Sequence, residues 1–99
     1  MITNFIKNNL LSFDFIINAR LISYFKDDLH KNHFRFELNL INNNYILVEF
    51  VLLNCEIDNF INDNYYKEKI INNILMFIQT CNDTKKFMRK YKLKELLYD

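Results

Sequence analysis

Glycine, proline and tryptophan are absent from the 99 residues. Without glycine there is no phosphate-cradling loop and no nucleophile elbow, which removes two large classes of enzyme site. Turn positions that need a positive φ then fall to Asn or Asp, the residues that tolerate it next best. Cysteine is scarce. Cys55 and Cys81 stand apart, with no CxxC spacing and no Cys/His cluster, so buried free thiols in a reducing compartment are expected rather than a disulfide or a zinc site. Ser12 and Ser23 are the only serines, and neither sits in a nucleophile context. Long apolar runs are missing too. Nothing approaches the roughly 18 uninterrupted apolar residues of a membrane span, and the N-terminal run is cut by Ser12 and Asp14. No basic segment leads into a small-residue cleavage site, so a cytoplasmic protein of a bacterial or host cell is expected.

What is present describes a folded chain. Hydrophobic residues make up 51% and charged residues 25%, too apolar for a disordered segment and ordinary for a globular one. Residues 1–99 fit one domain, in which a chain of this length buries roughly two thirds of its unfolded surface. Abundant Asn, Ile, Lys, Phe and Tyr beside the missing Gly and Pro suggest AT-rich coding, as in a low-GC bacterium or a virus. The net charge of +1 hides a split: five Lys and Arg against eight Asp and Glu through Asp63, then eight against four from Asn64 onward.

The pattern predicts an α+β fold: a small antiparallel sheet of two to three strands, with a hairpin at about 33–54, packed against a short N-terminal helix and two C-terminal helices. "TNFIKNNLL" forms the first helix. Residues 12–25 are ambiguous between strand and helix, and the strand is preferred because Phe13, Phe15, Ile17, Ala19 and Leu21 share one face at period two. "KDDLHKN" is the connection. Asn42, Asn43 and Asn44 close the hairpin, which sets Phe36 opposite Phe50, Leu38 opposite Val48, Leu40 opposite Ile46 and Glu37 opposite Glu49. The last of these pairs is repulsive, so a register differing by two is the alternative. After "CEIDNF", a cap at Asn62, Asp63 or Asn64 opens a helix with Tyr66, Ile70, Ile74, Phe77, Ile78 and Cys81 on its apolar face. Asn82, Asp83 and Thr84 break it and cap a final helix. Phe36, Leu38, Val48, Phe50, Ile70, Ile74 and Phe77 form the expected core.

Four groups of residues bear on function. Asp27, Asp28, His30 and His33 are metal-ligand types within seven residues, but their loop spacing specifies no metal, and a solvated polar loop is expected. Glu37 and Glu49 resemble paired carboxylates without the cleft that acid–base chemistry needs. Lys85, Lys86, Arg89, Lys90, Lys92 and Lys94, interleaved with Phe87 and Tyr91, form a basic patch able to track phosphates. Finally, the outer face of the hairpin is polar in its first strand (Arg35, Glu37, Asn39) and apolar in its second, where Tyr45, Leu47, Val51 and Leu53 leave Glu49 as the only charge. A helix of the same chain covers such a stripe, or another protein does. The expectation is a non-enzymatic protein-binding module of the inhibitor, antagonist or immunity type, of viral, phage or mobile-element origin. Its partner is a protein or a second copy, with no cofactor and no metal. Nucleic-acid binding through the basic patch is the alternative.

Overall fold

The computed structural model describes residues 1–88. Its element order is α1 (Ile2–Leu11), β1 (Ile16–Lys26), β2 (Lys31–Leu40), β3 (Tyr45–Leu53), α2 (Asn54–Asn59) and α3 (Asn64–Thr80), after which 82–88 are helical. The three strands form one antiparallel sheet in the order β1-β2-β3, and the helices pack on one side of it, giving an α+β fold. No helix among the described residues is long and apolar enough to cross a membrane.

α1 buries Ile6 and Leu10, four residues apart on one helical face. A tight turn follows, in which the Ile16 amide donates to the Phe13 carbonyl at 3.1 Å, so the strand begins later than its apolar pattern suggests. The expected single face of β1 does not form. Phe15, Ile16 and Ala19 are buried while Ile17 is 60% exposed, because the pairing with β2 shifts between Ile16 and Asn18 and again between Leu21 and Ser23. Each irregularity inserts an unpaired residue and resets the alternation.

Asp27 shapes the connection to β2. Its Oδ1 accepts the amides of Leu29 (2.9 Å) and Lys31 (3.0 Å), and His30 takes a positive φ of 61° where a glycine-bearing chain would use glycine. At the hairpin, the Leu40 amide donates to the Asn44 carbonyl at 2.8 Å and Asn43 adopts φ 67°. This loop is longer than the three-asparagine turn, and the register moves by two. Phe34 faces Phe50, Phe36 faces Val48, Leu38 faces Ile46, Glu37 faces Leu47, and Arg35 faces Glu49. A shift by two preserves which side chains point inward and replaces a carboxylate–carboxylate pair with an attractive one.

α2, which the sequence pattern does not disclose, follows β3 without a loop. Cys55 lies in it and is exposed, contrary to the expected burial, whereas Cys81 is half-buried; both are free thiols. Asp63 caps α3, its Oδ1 accepting the Tyr65 amide at 2.9 Å. Ile70, Ile74 and Ile78 are its buried row. Thr84 does not cap the following helix from outside. It is fully buried, and its hydroxyl donates back to the Ile78 carbonyl at 2.7 Å, satisfying a carbonyl orphaned by the end of α3. Six of the seven expected core residues are buried, and Phe77 is half-buried at the rim, its ring edge-on to Phe50 at 5.8 Å. Phe87 stacks on Phe15 at 5.1 Å, which docks 82–88 beside the start of β1. The rest of the expected final helix, residues 89–99, lies outside the described residues.

Candidate functional site: the open face of the sheet

Because α1 and α3 occupy the inner face, the side chains of opposite parity point away from every described helix. In β3 these are Tyr45, Leu47, Glu49, Val51 and Leu53. The four apolar ones remain 67%, 63%, 42% and 41% exposed in chain order, so no described helix covers the stripe. β2 contributes Lys31, His33, Arg35, Glu37 and Asn39, and β1 contributes Arg20, Ser23, Phe25 and the bulged Ile22.

The charges in the middle of this face are paired with one another. Arg20 meets Glu37 at 3.1 Å, and the Arg35 Nε donates to Glu49 Oε2 at 2.7 Å. The His33 ring is held from both sides, Nε2 against Asp27 Oδ2 and Nδ1 against Glu49 Oε1, each at 2.8 Å. Phe25 stacks on the same imidazole, with centroids 4.4 Å apart and planes 4° from parallel, while the Arg35 guanidinium sits 5.0 Å over the Phe25 ring. Hydrogen bonding to Asp27 first, and then to Glu49, raises the His33 pKa above its ordinary value. His33, then the Lys31 and Leu29 amides, lower that of Asp27; Arg35, then His33, lower that of Glu49. A carboxylate on each nitrogen favours the imidazolium, in which both nitrogens donate, and leaves the ring no free nitrogen for a metal or a substrate.

Of the loop quartet, therefore, the fold brings Asp27 and His33 together as an ion pair and leaves Asp28 and His30 exposed and apart. Among the described residues, no group of three or more His, Cys, Asp or Glu is arranged to hold a metal ion. Glu37 and Glu49 are not opposite each other; each has its own arginine. In the basic patch, Lys85 is half-buried and Lys86 exposed, its Nζ 5.3 Å from the Phe87 ring centroid. Arg89, Lys90, Lys92 and Lys94 lie outside the described residues.

Two concavities border β3. A shallow depression of about 390 Å³ lies on the open face between Ile22 and Leu47, with Arg35 and Glu49 in its lining. A groove of about 340 Å³ runs between β3 and α3, lined by Phe50, Val51, Met76 and Phe77 among others. Sequence reasoning missed the His33 clasp. The observed register brings Arg35 and His33 to Glu49, and the sequence signals it only through the repulsion of the expected Glu37–Glu49 pair. No protein-family model matches the chain, and no curated protein or solved structure matches it significantly.

Proposed function

We propose that this chain is a small protein-binding module, of the antagonist or immunity type and acting in a cytosol, that takes its partner on the open face of the sheet through Tyr45, Leu47, Val51 and Leu53. One observation carries the reading. On a face whose central charges neutralise each other, four of the five outward side chains of β3 are apolar and at least two-fifths exposed. Apolar area contributes roughly 25 cal/mol per Å² when removed from water, so a row of large side chains beside a neutral strip favours association without demanding charge from the partner.

The test is affinity capture from native lysate, with and without nuclease, using the wild type and the Leu47→Lys and Val51→Lys variants. Protein partners that survive nuclease and are lost from both variants are the expected result. Nucleic acid that co-purifies with all three proteins, with no protein partner sensitive to the stripe, overturns the reading in favour of the basic patch.

A further inference from the structure

We propose that β3 takes a second copy of this chain at its edge, pairing antiparallel with its own counterpart about a two-fold axis, so that two sheets join into one and the outward rows of the two copies lie side by side. The inference rests on the reading of that stripe as an interface. It goes further by naming the occupant and the geometry.

The two edges of the sheet differ. Among the described residues, the order β1-β2-β3 leaves β1 and β3 with one unpaired side each. The β1 edge is blunted by two register irregularities and by Arg20 and Lys26 along its length, the usual devices against edge pairing. β3 has neither. Its nine residues pair with β2 without a break from Tyr45 to Leu53, contain no Lys, Arg or Pro, and hold one charge, Glu49. An edge that is regular, long and apolar is a template for another strand.

The outward row of β3 is complementary to itself. Tyr45, Leu47, Glu49, Val51 and Leu53 are nearly symmetric about Glu49. Reversal about that residue sets Leu47 beside Val51 of the second copy and Tyr45 beside its Leu53. The two Glu49 carboxylates that meet near the axis each arrive bonded to Arg35 and His33, so the repulsion that would oppose this register is already offset within each copy. The groove on the inner side of the same edge mixes Asn73, Thr80 and Glu49 with Phe50, Phe77 and Met76, and Met76, 63% exposed on α3, gives an added strand some apolar surface on its other flank as well. A nine-residue edge spans roughly 30 Å.

Sedimentation equilibrium of the full chain from low to high micromolar concentration tests this. The expected result is a monomer–dimer equilibrium. Leu47→Lys and Val51→Lys should each weaken it by about tenfold or more with an unchanged circular dichroism spectrum, and Asn18→Lys on the opposite edge should leave it intact. Amide exchange in β3 should slow as the dimer fills. A chain that is monomeric throughout overturns the inference; so does a dimer insensitive to both lysines, or one that leaves β3 exchange unchanged. If the monomer still captures a protein that the two lysine variants lose, the protein-binding reading survives and only the second copy is excluded. If capture is also indifferent to the lysines, both fall.

Discussion

His33 and Glu49 meet at 2.8 Å along a diagonal of the β2–β3 ladder, since the register places His33 opposite Val51 and gives Glu49 to Arg35 as its direct neighbour. Asp27 closes on the other ring nitrogen from the β1–β2 turn, so one imidazole ties that turn to the third strand. The clasp is electrostatic, and its strength follows pH.

The pH dependence has a definite sign. The His33 pKa is raised, so its contribution is complete below about pH 6.5, its ordinary value, and is lost as pH rises through the raised one. The pKa values of Asp27 and Glu49 are lowered, so their contributions are present above about pH 4 and are lost as pH falls through the lowered values. The thermal midpoint of the wild type should therefore exceed that of His33→Gln most between about pH 4.5 and 6.5, with the gap narrowing toward pH 9. A gap that is constant across this range would show that His33 contributes only by stacking on Phe25.

Neighbouring residues of β3 should respond in opposite ways to the same substitution. Val48 and Phe50 point into the core, whereas Leu47 and Val51 point to solvent. Val48→Lys buries an unpaired ammonium and should abolish cooperative unfolding, and Phe50→Ala should cost about 3–5 kcal/mol, most of the stability of a small domain. Leu47→Lys and Val51→Lys should each stay within about 0.5 kcal/mol of the monomeric wild type, as surface changes do. Urea titrations of all four decide whether the outer parity of β3 is free of structural duty.

How much of this was legible beforehand depends on which physical signal governed each part. Parity survives an error of two in register, which is why Tyr45, Leu47, Val51 and Leu53 appear as an outward row even though the predicted partners of Phe36 and Leu38 were displaced. β1 defeats the same logic because two irregularities reset its alternation, and no residue type marks them in a chain without glycine. α2 is only six residues long and has no apolar repeat to announce it. The His33 clasp depends on side chains from three separate segments, and only the correct register reveals it.

The sequence pattern places Asn32 in a polar connection, but it is buried at the start of β2 and works as a knot. Its Oδ1 accepts the Tyr24 hydroxyl at 2.6 Å, and its Nδ2 donates to the Leu52 carbonyl at 3.1 Å and to Asn54 Oδ1 at 2.8 Å, joining the ends of all three strands to the first residue of α2. Asn32→Ala leaves a buried carbonyl and two side chains without their partner, so a loss of about 1–3 kcal/mol is expected in urea denaturation. Asn32→Asp should be worse, because it points a carboxylate at two acceptors; equal stability for the two variants would mean that Nδ2 donates little.

Glu56, in α2, is 4% exposed, and its Oε2 has no hydrogen-bond partner among the described residues, while Oε1 faces the half-exposed Lys69 of α3 at 3.4 Å. A carboxylate held this way loses hydration at two oxygens and recovers part of it at one, so the pair is a poor source of stability. Removing only the cation should hurt: Lys69→Met leaves the buried carboxylate without its counter-charge and should cost about 1–3 kcal/mol. Removing the carboxylate should not. Glu56→Met exchanges a half-satisfied charge for an apolar side chain of similar length and should leave stability equal or higher, and the double variant should recover most of what Lys69→Met loses. A double-mutant cycle read by chemical denaturation at neutral pH measures the coupling directly. If Glu56→Met is instead as damaging as Lys69→Met, the ion pair is a net clamp between α2 and α3.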